Sequence, residues 1–208
     1  MTCSVLLTTP CKGAIFIGEM TEVIGQGRKS IFLNATKQIA AYLNANPGPS
    51  TNLLHFSIAT YGNGTLRPIL LQTFSDFNRD LNYLINEVAA NNNPNSGQTF
   101  TGSILEDLYS VIVTNQLANY LVLFMGETER ILDIYLIEEA VQRIASTSAQ
   151  IFVLDMTTGR DWTNDYFFKE LVNNDLTKIY NYTHQNVGEV TNYYTSGKFA
   201  QVWNKMTC

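Results

Sequence analysis

Six consecutive residues near the middle of the chain, Tyr120-Leu-Val-Leu-Phe-Met125, are apolar without a break. The run is far short of the roughly 20 apolar residues that span a bilayer. It has no polar side to turn to water, so it reads as a central strand of a parallel sheet, covered on both faces. Ala14-Ile-Phe-Ile17 and Ile151-Phe-Val-Leu154 repeat the pattern. Between these runs lie segments of helical period. Arg28 to Asn44 places Ile31, Phe32, Ala35, Ile39 and Leu43 on one side, and Thr101 to Val113 does the same with Ile104, Leu108 and Ile112. A third, with Asp133 as its cap, points Leu136, Ile137, Ala140, Val141 and Ile144 inward. Strand alternating with helix predicts an α/β fold: a doubly wound, mostly parallel central sheet with helices on both faces.

The remaining segments fit around that frame. Leu54 to Thr60 alternates as a strand, Gly62-Asn63-Gly64 supplies a tight hairpin, and Leu66 to Thr73 returns. Pro68 confines that return strand to a sheet edge, because it lacks the N–H a ladder needs. Asn46-Pro-Gly-Pro-Ser50 stops the first helix. Ser75-Asp76 is the expected cap of a helix carrying Phe77, Leu81, Leu84, Ile85 and Val88, and Asn91 to Gly97 reads as a loop. A helix from Asn164 to Val172, a short strand from Lys178 to Tyr182 and a last helix from Ser196 to Lys205 complete the expectation. Residues 1–11 read as a linker and 12–208 as one domain. With 45% hydrophobic and 15% charged residues, 208 residues build a sizeable core without metals or many disulfides.

A net charge of −5 is spread without an acidic block or a basic stripe, so nucleic acid is excluded as a partner and no polybasic membrane anchor exists. Direct membrane insertion is not expected either. Ser4 to Thr9 is too short for the apolar core of a signal peptide, so the chain reads as a mature fragment or excised domain. Two features point outside the cell. Three Asn-x-Thr acceptors occur, at Asn34, Asn63 and Asn181. The three cysteines, Cys3, Cys11 and Cys208, all lie at the chain ends. A bridge between Cys11 and Cys208 would clamp the termini, contributing about 5 kcal/mol in the chain-entropy model. Cys3 would then be left for a covalent partner. The competing reading is three ordinary thiols.

Catalytic machinery is thin. The two histidines, His55 in a strand and His184 in a Tyr/Asn-rich loop, have no neighbouring nucleophile motif. Asp155, Asp161 and Asp165 are better explained as loop and cap residues than as an acidic pair. Gly25-Gln-Gly27-Arg28-Lys29-Ser30 precedes a helix but fails the phosphate-loop spacing, since Arg28 stands where the backbone must approach phosphate. The expectation is a non-enzyme with no cofactor. Tyr180, Tyr182, Tyr193, Tyr194 and Trp203 crowd the tail, where they serve packing or a protein or glycan contact equally well.

Three local pieces carry a family resemblance: Ile17 to Gly25 after the first strand, Gly97-Gln-Thr99-Phe-Thr101-Gly102, and Leu121-Val-Leu-Phe-Met-Gly126. Together with the element order, they make residues 12 to 208 resemble a von Willebrand factor A domain. In that family the three loops meet above the sheet and hold a divalent metal through oxygen ligands. The resemblance puts those ligand positions at Gly18, Met20, Glu22, Thr99 and Met125, of which only Thr99 keeps the expected chemistry. Glu19, Glu22, Glu127 and Glu129 are the nearby carboxylates that could substitute. The resemblance therefore implies an adhesion-type module binding a protein or carbohydrate ligand without metal, through Glu19, Met20, Thr21, Thr99, Phe100 and Glu127. A disulfide-linked, glycosylated spacer is the alternative, and a cation-dependent module built on the glutamates a lesser one.

Overall fold

The structure is a computed structural model that describes residues 11–48, 54–88, 98–115, 117, 119–128, 130–157 and 166–207. The strands are β1 (Lys12–Glu19), β2 (Leu54–Gly62), β3 (Gly64–Arg67), β4 (Asn119–Gly126), β5 (Gln150–Asp155) and β6 (Ile179–Asn181). The helices are α1 (Gly25–Ala45), α2 (Phe74–Tyr83), α3 (Thr101–Asn115), α4 (Ile134–Ala145), α5 (Tyr166–Leu171), α6 (Val187–Ser196) and α7 (Lys198–Lys205). The sheet runs β3-β2-β1-β4-β5-β6. All neighbours are parallel except β2 and β3, which form the edge hairpin. The α/β, doubly wound architecture read from the sequence is the one observed.

Strand alternation divides the core into two layers. Ala14 and Phe16 of β1 face a layer built with Phe32, Leu33 and Ile39 of α1, Phe77 and Leu81 of α2, Tyr194 of α6 and Trp203 of α7. Ile15 and Ile17 face the opposite layer, with Ile104 and Leu108 of α3, Ile137 and Val141 of α4 and Phe168 of α5. Each such large apolar side chain contributes about 1.5–3 kcal/mol on burial.

At the amino end of the sheet a cation closes the structure. Lys12 is buried, and its Nζ donates to Pro47 O at 2.5 Å and to Trp203 O at 3.0 Å. It lies 4.0 Å from the centre of the Trp203 ring, and burial lowers its pKa to about 8. The Trp203 indole in turn donates to Leu43 O at 3.2 Å and Asn46 O at 2.9 Å, tying α7 to the end of α1.

Four local expectations need correction. The return strand is only Gly64–Arg67, because Pro68 ends the ladder and contact resumes as a single bridge, Phe56 to Gln72. Helix α2 is capped by Thr73, whose hydroxyl accepts from Asp76 N at 3.3 Å, and not by Ser75-Asp76. Asp133 stands at the N-cap of α4, where its backbone oxygen accepts from Leu136 N at 2.9 Å but its side chain makes no cap bond to that helix. The tail forms two helices where one was expected, since α6 begins at Val187 behind a capping box of Asn186 and Glu189.

Candidate functional site

Because β1, β2, β4 and β5 run parallel, their carboxyl ends and the following loops converge at one end of the sheet, the place where open α/β sheets bind ligands. Glu19 is the last residue of β1 and is fully buried. Its Oε1 accepts from the Thr21 hydroxyl, and its Oε2 accepts from Glu127 N at 3.0 Å. Burial raises the carboxyl to about 7, a rise opposed by Thr21, by the Glu127 amide and by the charges of Lys29 and Arg28. Met20 N donates to Tyr61 O at 2.7 Å. A Cβ on Gly126 would lie 2.4 Å from Tyr61 Oη and 3.3 Å from Glu19 Oε2, so the third loop can pass here only as glycine.

The second loop is fastened by its backbone. Thr99 N donates to Arg130 O at 3.1 Å, Leu132 N to Thr99 O at 2.8 Å, and Phe100 N to Gly62 O at 2.9 Å. The Thr99 and Thr101 hydroxyls are 3.0 Å apart. Asp133 reaches across to the start of α3, where its carboxylate accepts from Gly102 N at 2.9 Å, Ser103 N at 2.7 Å and Ser103 Oγ at 2.8 Å. The aspartate read as the cap of its own helix thus caps the neighbouring one.

Arg28 joins the start of α1 to the end of β5 by donating to Met156 O at 2.7 Å, which gives the glycine-rich start of that helix a structural role. Lys29, the next residue, is buried, and burial lowers its pKa while the charges of Glu19 and Glu22 resist the shift.

The positions matched to metal ligands fall largely among apolar side chains. A Cβ at Gly18 would meet Phe32 Cε1 at 2.3 Å, so an aromatic ring occupies the space that a carboxylate would need. Met20 and Met125 are buried in the same apolar layer as Phe32. Glu22 is exposed, and Thr99 is buried against Thr101. Among the described residues no group of three or more His, Cys, Asp or Glu side chains could hold an ion. Glu129 lies outside the described residues.

Five of the six residues expected at a recognition surface, Glu19, Met20, Thr21, Thr99 and Glu127, are buried, and Phe100 is half-buried. The expectation that Met20 projects from a loop is corrected. β1 continues through Glu19, and the bond from Met20 N to Tyr61 O carries the chain one residue further beside β2, turning the thioether under α1. Among the described residues, the large apolar side chains exposed on this rim are instead Leu132, Ile134 and Tyr135, with Tyr135 at 76%. Their signal was present in the sequence, since Ile134 and Tyr135 fall off the inward stripe of α4.

Elsewhere, His55 is half-buried, where burial lowers its pKa, and His184 is exposed. Asp155 accepts from Thr157 N at 2.8 Å, while Asp161 and Asp165 lie outside the described residues. Packing accounts for much of the aromatic tail. Tyr194 is buried and donates to Val153 O at 3.1 Å, and Tyr193 stacks on Tyr180 at 4.1 Å. Cys11 is buried, whereas Cys3 and Cys208, and with them the expected pairing, fall outside the described residues.

The fold defined by this sheet and its crest is that of a von Willebrand A domain. A von Willebrand factor type A protein from Catenulispora acidiphila matches 95% of this chain at a TM-score of 0.61 and 14% identity. Manganese-loaded TRAP from Plasmodium vivax matches 89% at 0.61 and 11% identity, over 72% of its own chain. The SpRpn10 VWA domain matches 91% at 0.58 and 14% identity, over 97% of its chain. The present chain spans 43% of the Catenulispora chain's length. No protein-family model matches the sequence, and no curated protein matches it. Identities at this level speak for the fold alone.

Proposed function

We propose that this domain is a non-enzymatic recognition module that works outside the cell and binds a protein or glycan partner without a metal ion. The observation that carries the reading is the Phe32 ring packed over Gly18, which fills the ligand position with apolar core. Glu19, Thr21 and Glu127 then act from beneath the surface, fastening the first loop to the third, and the Thr99 backbone fastens the second to the chain at Arg130 and Leu132. Contact falls to the rim, where Phe100, Leu132, Ile134 and Tyr135 give a partner apolar and aromatic area.

The test is a panel of purified ectodomains and glycans screened in EDTA and again with Ca²⁺ and Mg²⁺. The reading expects a partner retained in EDTA and lost in an Ile134→Ser/Tyr135→Ala double variant. A partner that requires the ion, or that ignores the double variant, overturns it.

One observation favours the spacer reading alongside. Asn119 N donates to Cys11 O at 3.3 Å, and the Asn119 side chain donates to Thr207 O at 2.7 Å. The chain on either side of the domain is thereby brought to one point, which supports a Cys11–Cys208 clamp, with Cys3 left for another chain. Non-reducing electrophoresis of the wild type and Cys3→Ser decides, because a Cys3-dependent dimer is expected and a clean monomer sinks the assembly role.

A further inference from the structure

The three acceptor asparagines are equal as sequence but not as structure. Asn34 lies in the middle of α1, half-buried, and its Nδ2 donates to Ser30 O at 2.8 Å and Ser30 Oγ at 3.3 Å. Its partner Thr36 is fully buried. In a helix, residues two apart point to nearly opposite sides, so the amide and the hydroxyl cannot be read together from outside. Asn63 and Thr65 are both exposed, at the tip of the β2–β3 hairpin, where Gly64 takes φ +98°. Asn181 and Thr183 are exposed as well, at the end of β6. Neither triplet is helical, so in each the asparagine and the threonine stand open at the surface together.

The two open acceptors also share a place in the fold. β3 and β6 are the opposite edges of the sheet. Asn63 follows the carboxyl end of β2 and Asn181 is the last residue of β6, and both strands run in the direction of β1. Both asparagines therefore stand at the crest end, on its two flanks. Four to five strand spacings separate them, roughly 20–24 Å.

We propose that Asn63 and Asn181 carry N-linked glycans, one at each flank of the crest, and that Asn34 does not. The inference rests on the extracellular reading above. In the reaction, the Asn Nδ2 bonds to the first sugar's C1 as the C1–O bond to a lipid pyrophosphate oligosaccharide donor breaks. The amide loses one proton and lipid pyrophosphate leaves. Sugars on both flanks cover open strand edges that would otherwise invite pairing with another chain. They leave the rim at Leu132, Ile134 and Tyr135 bare between them, which directs a partner to the α3–α4 side of the crest.

The experiment directs the full chain through a eukaryotic secretory pathway behind a cleavable signal sequence. The secreted, folded product is then mapped by peptide mass spectrometry after glycosidase release in heavy-oxygen water, which marks each occupied Asn. Label is expected at Asn63 and Asn181 only. Thr65→Ala and Thr183→Ala should each remove one glycan, and Asn34→Gln should leave the glycan count unchanged. A labelled Asn34, or an unlabelled Asn63 or Asn181, overturns the proposal. The extracellular reading fails by a different route, through recovery of the natural chain from cytosol with reduced thiols.

Discussion

Replacing Gly18 by alanine probes the packing at the position matched to a metal ligand. The added Cβ would lie 2.3 Å from Phe32 Cε1, 2.7 Å from Phe32 Cδ1 and 3.0 Å from Met20 Cε. The Phe32 ring is 1% exposed, so it cannot swing into solvent and must displace core atoms. Overpacking of this kind costs about 1–3 kcal/mol. For a domain of this size each kcal/mol lowers the melting temperature by roughly 2–4 °C, so the drop should fall at roughly 2–12 °C. Phe32→Ala alone should cost about 3–5 kcal/mol by leaving a cavity. In the double variant the new methyl meets no ring, so Gly18→Ala should cost nothing further in that background. The cycle therefore predicts a coupling of about 1–3 kcal/mol between the sites, against the near-additivity expected of independent ones. Urea unfolding of the four proteins measures it. A Gly18→Ala protein within about 0.5 kcal/mol of wild type, or additive behaviour, would refute the claim that the ring fills the ligand position.

Three further outcomes are expected. The Glu19 carboxyl titrates at about 7 in the fold against 4.5 for the ordinary side chain, so the folded state holds its proton more tightly. Its contribution to stability is complete below pH 4.5, fades as pH rises to 7 and is gone above, a swing of roughly 3 kcal/mol. The stability of wild type relative to Glu19→Gln should fall over that window in denaturant melts, and a flat difference would show the group ionised and solvated. Asp133→Ala leaves two amides at the start of α3 without their acceptor and should cost about 2–4 kcal/mol, with faster hydrogen exchange at Gly102 and Ser103. Gly126→Ala should destabilise by about 1–3 kcal/mol, and Tyr61→Phe should relieve most of it by removing the oxygen 2.4 Å from the new Cβ; no relief in the double variant would place the clash elsewhere.

The sheet was legible because its central strands are apolar on both faces, and the period of α1, α3 and α4 showed which side of each helix turns inward. The crest was harder to read. Gly18 breaks the apolar run of β1, which suggested a strand ending there, yet pairing with Tyr61 and Met125 keeps the chain in the sheet through Glu19. The burial of Met20 follows from that register and from the apolar layer it shares with Phe32, twelve positions along the chain, which no local pattern announces. Helix α6 has no counterpart among the sequence expectations because its apolar stripe is thin; only Val190 and Tyr194 are buried, and the Asn186–Glu189 capping box was its one sequence signal. Asp133 was seen as a cap, but which helix it serves depends on how α3 and α4 pack.

The central claim is that recognition by this domain is independent of metal. Any ion that binds only the folded state must raise the melting temperature, by about 2.7 kcal/mol of stabilisation at a hundredfold excess over its Kd. Thermal unfolding in EDTA, in millimolar Mg²⁺ and in millimolar Ca²⁺ is therefore the most direct measurement. The account predicts one midpoint in all three. A higher midpoint with either ion, lost in Glu19→Gln, would mean that the crest carboxylates have rebuilt a cation site, and would contradict it.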